Sequence, residues 1–371
     1  MSGPDQRTDD DTADSARTGG SGRPDDLAGT LLLRCRTDEV HTVAPFLDDR
    51  SRCGLVLTGT DAPKIAHSLR KRGFEKPLLC DAERYGVNGH RCATAPFDEQ
   101  WILSQRGLRA PVLTDSGRVG EGDLVGLRSI LTRARELGED VIACLPLHSS
   151  WLSDPTSLGV LEEELHASGV PVTLVLEHFG DPLDVPETLR GLLRLLGGEN
   201  PVLLLRGDVS ALGASCFGAV AAAVETIFRL RRPRPVLAGH CLSHLGVEEA
   251  ATAVRVTPDQ VERWVCECDA CGGRMMDHFA VIGDPHEQES AAFRHSLEVL
   301  LDLHEDLHAP HLTPRQRRNS WVEQCSSAGF YHQEIDTSTR PEWRVPPFLE
   351  NWRRVGAEFV PHGDGSRTPP P

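Results

Sequence analysis

Short apolar runs recur along the chain, and each is followed by a stretch whose apolar positions fall at helical spacing. The runs are T-L-L-L-R-C-R (30–36), G-L-V-L-T-G (54–59), P-L-L-C-D (77–81), P-V-L-T-D (111–115), D-V-I-A-C-L (140–145), P-V-T-L-V-L-E-H (171–178), P-V-L-L-L-R-G-D (201–208) and P-V-L-A-G-H (235–240). Helical stretches between them include P-K-I-A-H-S-L-R-K-R-G and L-V-G-L-R-S-I-L-T-R-A-R-E-L-G, both ending at Gly, a common helix stop. The runs are apolar nearly throughout rather than alternating. That is the pattern of strands covered on both faces of a parallel sheet. Eight such strand–helix units predict a (β/α)8 TIM barrel. An open doubly wound sheet is the alternative. No G-x-G-x-x-G follows the first run, which weighs against a dinucleotide-binding form.

The rhythm stops near residue 255. Beyond it come a cysteine cluster, a helical stretch over 287–307 and a tail containing Trp and Pro. The expected organisation is a disordered acidic tail over 1–28, the barrel over 29–254, a zinc-binding appendage over 255–312 and a C-terminal extension over 313–371.

Charge changes this picture. The 371 residues carry a formal net charge of −16, and residues 1–29, with seven Asp against three Arg, hold only −4 of it. A broad basic face for nucleic acid is therefore not expected. The clusters Arg229, Arg231, Arg232, Arg234 and Arg315, Arg317, Arg318 read as solvated helix ends and loops. No apolar run reaches membrane-spanning length, and the first residues lack a secretory pattern. A cytoplasmic protein with no membrane partner is expected. Eleven cysteines in that compartment are not a disulfide framework. Cys35, Cys80, Cys144 and Cys216 sit singly in apolar segments, as small core residues do.

Cys266, Cys268 and Cys271 stand apart as C-x-C-x-x-C. Soft, charged thiolates at this spacing suit zinc, and a closed tetrahedral site needs a fourth ligand. His295, 24 residues beyond Cys271 in a helical stretch, is the expected one. His278 and His286 are the competitors. The site is structural, with no open position for water. His304 and His308 share a helix face, and Cys325 and His332 lie near one another in sequence. Packing is the simpler reading of both pairs.

Barrel chemistry sits at the C-terminal ends of the strands. Those ends supply Asp81, Glu83, Arg84, Asp115, Ser116, His148, Glu177, His178, Arg206, Asp208, His240, Cys241 and His244. A ring of ionisable residues there marks a candidate active or binding site.

P-V-L-T-D-S-G (111–117) resembles the P-I-L-T-D-S-G-G-F-Q segment of tRNA-guanine transglycosylases. C-x-C-x-x-C followed by His295-Ser296-Leu297 resembles the zinc appendage of that family, and R-P-V-L-A-G-H (234–240) its R-Y-L-M-G-V-G strand. The resemblance covers about residues 50–310. It implies a zinc-bearing (β/α)8 barrel that exchanges guanine in a nucleic acid for a 7-deazaguanine. One Asp attacks the ribose C1′ and another serves as general acid/base. Asp115 matches the aspartate of D-S-G. The F-D-C-V-x-P-T-R nucleophile segment has no counterpart between residues 241 and 265, where Asp259 reads as a helix-start acid. Asp208 or Glu177 would then be the nucleophile. Asp81, Arg84, Ser116, His148, His178, Arg206 and His240 would bind substrate. Three expectations follow: base exchange or N-glycosidic chemistry on a nucleic acid, a catalytically silent barrel, or an enzyme of free nucleosides. A homo- or heterodimer is left open.

Overall fold

The computed structural model describes residues 22–86, 91–177, 180–226, 235–338 and 343–360. Eight parallel strands form its main sheet: β1 (Thr30–Arg36), β2 (Cys53–Thr58), β3 (Leu78–Asp81), β4 (Val112–Leu113), β5 (Val141–His148), β6 (Val172–Glu177), β7 (Val202–Leu204) and β8 (Ala221–Glu225). Their order is β3-β2-β1-β8-β7-β6-β5-β4. The two end strands, β3 and β4, lie against each other. The sheet is thus a nearly closed (β/α)8 barrel with helices between strands.

Both faces of these strands are apolar, as the runs require. Leu31, Leu33, Leu55, Leu57, Leu145 and Leu174 pack outward under the helices. Leu32, Val56, Leu79, Leu113, Ile142, Val175, Leu203, Ala221 and Ala223 fill the lumen. Leu27 joins them from the 3-10 turn Pro24–Leu27 and plugs the lower end. This corrects the tail boundary. Residues 22–28 are folded because Pro24 and Leu27 are buried, while 1–21 lie outside the described residues.

The eighth strand is a second correction. Seven of the apolar runs become β1–β7, but 235–240 does not become β8. That place belongs to A-A-A-V-E, paired with β1 through Leu32↔Ala223 and Arg34↔Glu225. Its three alanines can sit in the crowded wall between β1 and β7, but they carry little sequence signal for a strand. The last barrel strand therefore ends at Glu225, well short of residue 254.

The run at 236–238 instead forms β9 (Val236–Ala238), antiparallel to β10 (Ser243–Leu245), in a second core. There Val236, Ala238, Val247, Ala250 and Val254 meet Trp264, Met276 and Phe279. Two long helices join the cores. Pro285–Leu307 gives Ala292 to the second core and Phe293, Leu297, Leu300 and Leu301 to the barrel. Pro314–Ser338 gives Ile335 to the former and Trp321, Cys325 and Ala328 to the latter. Among the described residues no helix is long and apolar enough to cross a membrane.

Candidate metal centre and barrel mouth

The cysteine cluster sits on a small hairpin, β11 (Val265–Cys266) with β12 (Arg274–Met275). Its turn closes through Gly272 N–H to Cys268 O at 2.8 Å and Gly273 N–H to Cys266 O at 3.0 Å. Gly272 and Gly273 adopt φ of 59° and 78°, the left-handed region where a side chain is disfavoured. The Pro285–Leu307 helix brings in His295, whose Nδ1 lies 3.4, 3.4 and 3.3 Å from the Sγ atoms of Cys266, Cys268 and Cys271. The four donor atoms lie within 4.8 Å of one another and could hold a metal ion.

The surroundings fix that geometry. His295 Nε2–H donates to Leu237 O at 2.8 Å, leaving Nδ1 as the donor toward the centre. One turn on, Glu298 accepts the Asp269 N–H at 2.8 Å and ties the cysteine loop to the helix. Contacts with Cys268 and Cys271 push the Cys266 thiol far down, while Cys266 and Cys268 push Cys271 up. A cation removes that conflict by letting all three ionise. Burial acts to lower the His295 imidazole, but its bonds with Cys266 and Cys268 outweigh it and raise the group to about 9. Of the competing ligands, His278 turns its Nδ1 to Met275 O at 2.8 Å, and His286 is exposed at the helix start.

At the other site, strand register sends alternate residues into the lumen, so Arg34, Asp81, Asp115, Glu177 and Glu225 point into the barrel mouth. They form separate clusters. Arg34, with its side chain 4% exposed, lies 3.0 Å from Asp81 and 2.6 Å from Glu83, and also pairs with Glu225. The Tyr85 hydroxyl donates to Asp81 at 2.6 Å. Glu83 reaches Arg34 from a backbone φ of 50°, held by its N–H on Asp81 Oδ1 at 2.9 Å. Burial opposes the Arg34 charge, yet Tyr85, Asp81, Glu225 and Glu83 together hold its pKa well above the ordinary value. Arg206 adds a second cation 3.1 Å from Glu225.

After β4, which lies against β3, the Asp115 side chain is fully buried. It accepts the Asp98 N–H at 3.0 Å and pairs with Arg91, with Arg84 4.0 Å away. Burial raises its carboxyl above the ordinary range, against the lowering effect of the Asp98 N–H and Arg91. The motif D-S-G builds this contact. A Cβ on Gly117 would fall on the carbonyl oxygens of Arg91 and Cys92. Glycine lets the 91–92 backbone lie alongside 117–118, where Arg118 N–H donates to Arg91 O at 2.9 Å. Arg118 then reaches Glu177 at 2.5 Å. Arg91, Cys92, Arg118 and Gly120 line an open depression of about 380 Å³.

The other predicted residues divide. Asp208 accepts the Val209 N–H at 2.8 Å and lies 3.3 Å from His244 on β10, where the appendage touches the mouth. Ser116 is buried against Thr114 Oγ1 at 2.8 Å, and His148 Nδ1 accepts the Ser150 N–H at 3.2 Å. Ser116 thus bonds within its own loop, while His148 is half-buried at the end of β5. His240 is not at the mouth: it packs edge-on to Trp264 in the second core, with ring centroids 4.4 Å apart. It moved because its strand left the barrel, and burial lowers its imidazole to about 4. His178 lies outside the described residues. Cys325 and His332 are buried apart, His332 bonding Cys241 O at 3.0 Å and the Trp343 indole at 3.0 Å.

Arg34, Arg91, Arg118, Glu225 and Asp181 were not foreseen. Arg34 had a signal, an arginine directly after the apolar run Leu31-Leu32-Leu33 and two residues after the inward-facing Leu32. Asp181 had none. It is half-buried in the loop after β6, accepts from Leu183 N–H at 2.9 Å and from Ser210, and desolvation of its carboxyl raises it to about 7. No family model matches the chain, and no curated protein matches it.

Proposed function

We propose that the chain is a diverged relative of the tRNA-guanine transglycosylases, a barrel with a structural zinc appendage whose mouth acts on the N-glycosidic bond of a nucleoside-type substrate. The observation that carries this reading is Asp115, a buried carboxyl at the end of β4, gripped by an arginine that lines an open depression. Burial raises its pKa, which suits a group that must hold a proton and release it to a departing base. Glu177, held by Arg118 on the same depression, is the nucleophile favoured over Asp208. Its carboxylate oxygen forms an ester with C1′ as the C1′–N bond breaks. The electron pair leaves with the base, which takes the Asp115 proton. A second base, deprotonated by Asp115, then displaces Glu177 and restores both groups.

Zinc is the metal proposed for the Cys₃His cluster. Zn–S and Zn–N lengths at tetrahedral angles place sulfur and nitrogen about 3.5 Å apart, and the 3.3–3.4 Å separations fit it. The ion would tie the hairpin to the Pro285–Leu307 helix.

A silent barrel is the second reading, favoured by Arg34. It fills one half of the mouth with paired carboxylates, and the inward residues of β8 below Glu225 are alanines. Guanine exchange decides between the two. Zinc-loaded protein is incubated with labelled guanine and, separately, tRNA, DNA or guanosine. Incorporation that Asp115→Asn and Glu177→Gln abolish supports the first reading. Neither incorporation nor release of base with any substrate, in folded protein, supports the second.

A further inference from the structure

Arg91 and Arg118 line one open depression and each also pairs with a carboxylate, Asp115 and Glu177 respectively. We propose that this depression is the subsite for the phosphate monoester of a small sugar-phosphate ligand, so that the mouth takes a mononucleotide-sized substrate rather than a polynucleotide. This rests on reading the mouth as the ligand site, and not on base exchange.

The geometry supports a built site. The backbone of 91–92 is locked to 117–118 by the Arg118 N–H to Arg91 O bond and by the close approach that Gly117 permits. Two guanidinium groups are thereby set on one rim instead of on free side chains. Each offers five donors in a planar fork. Arg91 uses NH1 on Asp115 and Arg118 uses Nε on Glu177, which leaves the outer edges of both forks for a ligand. Their side chains remain 29% and 38% exposed. Arg84 lies 4.0 Å from the same Asp115 oxygen. Arg133, which donates to Ala93 O at 2.8 Å behind the loop, adds further positive charge.

Charge sets the size of the ligand. Guanidinium pairs bind phosphate oxygens by charge-assisted, often bidentate bonds. A polynucleotide would need cations well beyond this rim, whereas the chain carries a net −16. The rest of the mouth holds Asp81, Glu83 and Glu225 around Arg34, three carboxylates that disfavour a second phosphate there. One phosphate with a sugar attached fits; a chain of phosphates does not.

The test uses the full-length, metal-loaded protein and base-free probes, so that its outcome is separate from that of the exchange assay. Ribose 5-phosphate, ribose and a single-stranded oligonucleotide are titrated by calorimetry at several salt concentrations. Ribose 5-phosphate should bind at least about tenfold tighter than ribose, and Arg118→Gln and Arg91→Gln should each remove most of that difference. Circular dichroism verifies folding, and Arg128→Gln, a surface arginine paired with Glu164, serves as the control that keeps it. Equal binding of ribose and ribose 5-phosphate overturns the proposal. So does phosphate binding that survives both substitutions, or an oligonucleotide that binds tighter than ribose 5-phosphate.

Discussion

Removing Arg34 tests whether the mouth is held together by one buried cation. Its guanidinium lies against Asp81, whose side chain is 3% exposed, and against Glu83 and Glu225, at 29% and 24%. Arg34→Met keeps the stem and deletes the charge. Asp81 and Glu83 then lose their cation, while Glu225 keeps only Arg206, 3.1 Å away. Breaking a buried ion pair by removing one partner costs about 3–5 kcal/mol. Water reaches Glu83 and Glu225, so the low end, about 3 kcal/mol, is expected. Urea unfolding at neutral pH, followed by tryptophan fluorescence and by circular dichroism, reads the loss as a lower midpoint at unchanged slope. Adding Asp81→Asn and Glu225→Gln to Arg34→Met should recover most of it, because the cost lies in uncompensated charge and not in lost volume. An Arg34→Met protein within about 0.5 kcal/mol of wild type refutes the reasoning. A triple variant no more stable than the single one refutes it equally.

Four further outcomes are expected. Elemental analysis should find one zinc per chain, and His295→Ala or Cys271→Ser should lose it and loosen the second core, because metal binding energy is folding energy at such sites. Gly117→Ala should cost about 1–3 kcal/mol, since its Cβ meets backbone carbonyls that cannot swing away; thermal unfolding shows this as a lower transition. Asp181 carries a folded pKa raised to about 7 from 3.8, so the stability it contributes is complete below about 4 and is lost as pH rises through about 7. Urea midpoints across that window should fall in wild type and flatten in Asp181→Asn. Iodoacetamide should label Cys92 first, as mass spectrometry would show. It is exposed and its thiol is lowered by the Thr94 hydroxyl, whereas burial pushes the Cys80 thiol far up and Cys35 up to about 12.

What was legible in the chain was whatever depends on local pattern. The runs that became β1–β7 were readable because a strand buried on both faces must be apolar at every position. Cys266, Cys268, Cys271 and His295, which the structure brings into one cluster, were readable because a candidate tetrahedral metal site constrains spacing and residue type together. Asp115, Glu177 and Asp208 were readable as strand-end carboxylates. Their partners were not. Arg91 meets Asp115, and Arg118 meets Glu177, because Gly117 lets two loops touch, and Arg34 meets Glu225 across 191 residues. The eighth strand was missed for a related reason. Ala221, Ala222 and Ala223 are chosen by the space between β1 and β7, and alanine carries no strand preference of its own. His240 shows the reverse error, a strand-like run drawn away to the appendage.

The sequence by itself determined the alternation of strands and helices, the four residues of the candidate metal centre and the acidic balance that disfavours a polyanion, since each follows from residue type and short-range spacing. Only the tertiary structure decided which run closes the barrel, which carboxylate faces which arginine, and that two arginines share one rim. Those are set by volume and charge compensation between segments far apart in the chain, which no local pattern encodes.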